Sequence, residues 1–117
     1  MDCPTLNLWR PTPPGSTIAI KVAGDEDVFS IEVRVNCLDG SSERWPHSAL
    51  VPGPKTRVIS GGEACAFTTL MNVLSTPAAP IQVAATLTGP GGATLRSCAW
   101  HFDMPGSFAI VIDVLTS

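Results

Sequence analysis

Strict alternation of apolar and polar side chains over Val28 to Leu38 constrains this chain more than any other feature. Phe29, Ile31, Val33, Val35 and Cys37 fall on one face, and Ser30, Glu32, Arg34 and Asn36 on the other. Side chains in an extended strand point to opposite sides in turn, so this pattern predicts a half-buried strand and excludes a helix. A second alternating run precedes it, with Ile18, Ile20 and Val22 set against Thr17, Ala19 and Lys21. A turn at Gly24-Asp25-Glu26-Asp27 would fold the two into a hairpin, placing Val22 opposite Phe29, Ile20 opposite Ile31 and Ile18 opposite Val33. A slip of one residue would set every apolar member against a polar neighbour, which fixes the register.

The same reasoning extends to the C-terminus. Gly61-Gly62 predicts a tight turn pairing Ile59 with Ala64, Val58 with Cys65 and Thr56 with Phe67. The helical spacing of Phe67, Leu70, Met71 and Leu74 competes with this, but the Gly-Gly turn and Thr68-Thr69 favour a strand. Ile81 to Thr88 and Ala93 to Phe102 flank Gly89-Pro90-Gly91-Gly92, which pairs Val83 with Cys98 and Ile81 with Trp100. Met104-Pro105-Gly106-Ser107 then turns the chain into Phe108 to Thr116, completing a meander. Thr5 to Arg10 adds a short first strand. Residues 39 to 55, interrupted by Pro46, Pro52 and Pro54, are expected to be irregular. The expectation is a single domain over residues 1–117, an all-β, two-layer antiparallel sandwich of seven to eight short strands with Greek-key connections.

Immunoglobulin-type domains pack a tryptophan on a disulfide between their sheets, and Cys37, Trp45 and Cys98 occur in that order. Trp45 follows Cys37 closely, however, and precedes Pro46. Arg96 stands where the tyrosine corner would be, and the chain has no Tyr. The expected architecture is therefore immunoglobulin-like, without assignment to that family. The four cysteines, Cys3, Cys37, Cys65 and Cys98, form no C-x-x-C pair. They are read as buried free thiols, with disulfides as the alternative.

Composition narrows the function classes. Only 15% of the residues are charged, and 44% are hydrophobic; a typical charged share is about 25%. Seven basic and ten acidic residues give a net charge of −3 with no basic cluster, which argues against a nucleic-acid partner. No apolar run is long enough to span a bilayer as a helix. Met1-Asp2-Cys3-Pro4 has neither a basic nor an apolar leader region, so the chain is read as cytoplasmic or as secreted with its leader removed.

No spacing of titratable residues demands catalysis or a metal. His101 and Asp103 share a strand face near a turn, but no G-x-S-x-G accompanies them. Asp25-Glu26-Asp27 lacks the calcium-loop pattern. No cofactor is expected.

Sparse charge instead points to a non-catalytic binding or assembly module that meets itself or a protein partner through a sheet face or edge. The final strand is apolar on both sides, with Phe108, Ile110, Ile112 and Val114 on one face and Ala109, Val111 and Leu115 on the other. The first four are taken as core or interface anchors. The alternative is a carbohydrate-binding module in which exposed tryptophans stack on sugar rings beside polar groups, using Trp45, His47, Arg44 and Trp9.

Overall fold

A computed structural model describes residues 6–116, with side chains from Thr12 onward. The chain is all-β apart from a 3-10 turn at Glu26–Val28 and one helical turn, α1 (His47–Leu50). Nine strands are present among the described residues. A five-stranded sheet has the order β1 (Leu6–Thr12), β9 (Gly106–Thr116), β6 (Ala64–Val73), β3 (Phe29–Cys37) and β4 (Ser42–Trp45). A four-stranded sheet has the order β5 (Lys55–Ile59), β2 (Ser16–Ala23), β7 (Ile81–Thr88) and β8 (Thr94–Phe102). All described pairings are antiparallel except that of β1 with β9.

The inward faces predicted for Ile18 to Val22 and for Val28 to Leu38 are the observed ones, whereas in β5 it is Ile59 that is buried and Val58, predicted to face Cys65, that is exposed. Ile18, Ile20 and Val22 from one sheet, and Phe29, Ile31, Val33 and Val35 from the other, join a single buried cluster with Trp100 and Phe102. The predicted pairings differ. β2 lies between β5 and β7, so Ile20 stands beside Ala85 and Lys55 and not beside Ile31. The chain crosses from one sheet to the other between β2 and β3. Gly24 makes the crossing at φ +154°, where an added Cβ would come within 3.1 Å of Ile81.

Gly61-Gly62 likewise joins strands of different sheets. β6 pairs with β3 and β9, whereas β5 pairs with β2. β8 and β9 also lie in different sheets, so the expected meander ends at β8. Among the described residues, only β3–β4 and β7–β8 are joined as hairpins. In the second, Val83 pairs with Trp100 and Ile81 with Phe102, two residues from the predicted register and therefore on the same faces. The segment expected to be irregular contains β4 and α1, its first part held by pairing of Arg44 with Arg34 and Trp45 with Val33.

The cysteines also differ from the reading as free thiols. Cys37 and Cys65 are directly opposite in the β3–β6 ladder, with Cα atoms 4.0 Å apart, and are disulfide-bonded. Leu38 N donates to Ala64 O beside them, so the cysteines occupy the close, non-hydrogen-bonded kind of pair that brings side chains together. Cys98 is disulfide-bonded as well, and no described cysteine is free. Cys3 lies outside the described residues.

Candidate functional site: the outer face of the five-stranded sheet

β4 separates the residues that the sequence grouped as one ligand site. Consecutive strand residues face opposite ways. Trp45 therefore turns into the core, where it is 1% exposed and packs against Phe67 at 5.7 Å between ring centroids. Its Nε1 donates to Glu43 Oε1 at 3.2 Å, and Lys55 Nζ sits 6.0 Å from the ring. The expectation of an exposed Trp45 is thus corrected: its indole has no open face for a sugar ring.

Arg44 faces outward instead, donating through Nε to Glu32 Oε2 at 2.6 Å. Arg34 Nε donates to Glu32 Oε1, also at 2.6 Å. These two hydrogen bonds, from Arg34 and then Arg44, hold the Glu32 carboxyl below its ordinary value. His47 begins α1 and packs against Phe29 with tilted rings, 5.3 Å between centroids. Arg44 and His47 do share a site, a shallow groove of about 630 Å³ whose walls also include Glu32, Arg34, Asn72 and Ser107. The Trp9 backbone pairs with Val114 in β1, and its side chain lies outside the described residues.

The final strand is resolved by the same alternation. Ile112 and Val114 are each 1% exposed and belong to the core, with Phe108 and Ile110 partly buried against it. These four therefore pack inward and do not form a solvent-facing contact strip. β9 is also internal to its sheet, flanked by β1 and β6. Its outward residues are Ala109, Val111, Asp113 and Leu115, which lie beside Leu70, Thr68, Ala66 and Ala64 of β6. This second row was visible as the opposite parity of β9. Its β6 counterpart is not legible in the sequence, because it depends on the non-local pairing of β6 with β9.

The centre of the outer face is consequently a patch of mostly short side chains, Ala64, Ala66, Thr68, Ala109 and Val111. At one end, Ala64, Ala66, Leu115 and the exposed Leu38 border a hollow of about 270 Å³. At the other lies the groove beneath Arg34 and Arg44. Asp113 is charged and makes no ion pair with any described residue.

Among the described residues, the sulfur and carboxylate groups of Cys37, Cys65 and Glu63 lie close enough together to suggest a metal cluster. The two sulfurs are bonded to each other, so neither is present as a thiolate ligand. Comparison with family models, with curated proteins and with solved structures gives no match to this chain.

Proposed function

We propose that this chain is a non-catalytic assembly module whose outer five-stranded face docks against a second copy. One observation carries the reading. β6 and β9 present Ala64, Ala66, Thr68 and Leu70 beside Leu115, Asp113, Val111 and Ala109, with Asp113 as the sole charge in the two rows. Small side chains let two backbones approach closely, and apolar area removed from water contributes roughly 25 cal/mol per Å². The chain's low charge, 15% overall, supports a covered surface of this kind.

The finer architecture proposed is an immunoglobulin-like, Greek-key sandwich. It is supported by the parallel pairing of β1 with β9 and by the frequent passage of the chain between sheets. The carbohydrate reading has weaker support, because Arg44 and His47 reach the groove while Trp45 does not.

Sedimentation velocity between about 1 and 100 µM tests the proposal, a range that brackets micromolar affinity. Wild type is expected to shift from monomer to dimer, and Val111→Lys to remain monomeric while retaining the wild-type circular dichroism spectrum. A wild-type monomer throughout would overturn the proposal.

A further inference from the structure

The face is charged asymmetrically. Arg34 and Arg44 share the single carboxylate of Glu32 on the β3–β4 side, leaving one net positive charge there. Asp113 lies on the β9 side without an ion-pair partner among the described residues. A surface with opposite charges on two sides of an apolar centre is complementary to itself, the condition for a two-fold contact.

The ladder registers locate the axis of such a contact. Asp113 is level with Ala66 and Asn36, and Arg34 with Thr68 and Val111. With strands about 4.8 Å apart and a rise of ~3.4 Å per residue, Asp113 and Arg34 are about 12 Å apart on the face. A two-fold axis in the plane of the contact, drawn midway between them, passes close to Ala66 and runs on toward Leu38.

We infer that, resting on the proposed self-association, the dimer is a crossed face-to-face pair in which Arg34 of each copy meets Asp113 of the other. In this arrangement Arg44 flanks the same carboxylate. Ala66 packs near its own mate, where only a small side chain fits, and Leu38, 89% exposed in a single copy, is covered by Leu38 of the second. The strands of the two sheets cross at a steep angle, as in orthogonal sheet packing.

A charge-swap series tests the arrangement by sedimentation equilibrium. Arg34→Asp and Asp113→Arg are each expected to weaken dimerisation about tenfold or more, within the range for close charge pairs across an interface. The double variant restores affinity to within about threefold of wild type, because the exchanged charges meet again across the axis. Ala66→Arg, which inserts bulk beside the axis, is expected to abolish the dimer. A wild-type dimer broken by Val111→Lys but showing no recovery in the double variant would overturn this arrangement and leave the docking face standing. A wild type that stays monomeric at 100 µM would overturn both.

Discussion

Arg57, on the edge strand of the four-stranded sheet, reaches across to Glu43 on the edge strand of the other, closing the two sheets along that side. The same guanidinium holds Glu63 at 2.8 Å and approaches the Cys37 sulfur at 3.7 Å. Glu63 in turn accepts from Ser60 N at 2.7 Å, and its backbone carbonyl accepts from Thr116 at the end of β9. Arg57 thus links both sheets, a turn and the C-terminal strand. Its side chain is 20% exposed, between the buried and surface cases for ion pairs. Arg57→Met is expected to cost about 1–2 kcal/mol in urea unfolding at pH 7, because both carboxylates lose their cation.

That contribution depends on pH with a definite sign. A backbone hydrogen bond from Ser60, then Arg57, holds Glu63 below 4.5 against the opposing effect of burial. Burial raises Glu43, but hydrogen bonds from Trp45 and Arg57 outweigh it, and its carboxyl also lies below 4.5. Both groups are more acidic folded than unfolded, so the unfolded chain binds more protons as pH falls. The stabilisation is complete above 4.5 and declines as pH drops through the folded values. Urea midpoints of wild type and Arg57→Met are therefore expected to differ at pH 7 and to converge on acidification below 4.5.

Trp45, on β4 opposite Val33 of β3, is buried in the core and lies against Phe67, so its loss acts on stability. Trp45→Ala is expected to destabilise the chain by about 3–5 kcal/mol, the usual range for removing a buried aromatic. Thermal unfolding measures it. A variant with unchanged midpoint would place the indole outside the core.

The disulfides make a direct chemical prediction. Thiol labelling in denaturant, read by peptide mapping, is expected to leave Cys37, Cys65 and Cys98 unmodified without reductant and to label all three after reduction. The Cys37–Cys65 bridge spans 28 residues, and its closure of the unfolded chain corresponds to about 3–4 kcal/mol. Replacing both cysteines with serine is expected to lower stability by that order.

Which side chains face inward was legible from parity alone, because alternation is a local property of extended backbone. Ile18, Ile20, Phe29 and Ile31 are buried as read. Which strands pair was not legible. A hairpin at Gly24–Asp27 and a crossing between sheets both turn the same side chains toward one core, so the pattern satisfies either. The choice is made by non-local pairing, here β2 with β5 and β7 and β3 with β6. The Cys37–Cys65 bridge was hidden for the same reason, since it follows from the β3–β6 register. Arg44 and Trp45 are separated for a different reason: neighbours along a strand point to opposite faces, so adjacency in sequence does not make a shared site.

In the proposed dimer a second copy covers the outer face of β3, β6 and β9. Backbone amide NMR spectra recorded across a dilution from about 500 to 5 µM, spanning the affinities that a contact of this kind reaches, test it most directly. Concentration-dependent shifts are expected to cluster at Arg34, Leu38, Ala66, Thr68, Val111 and Asp113, with Thr86 and Ser97 on the opposite sheet unchanged. Spectra that do not change, or changes centred on Thr86 and Ser97, would contradict it.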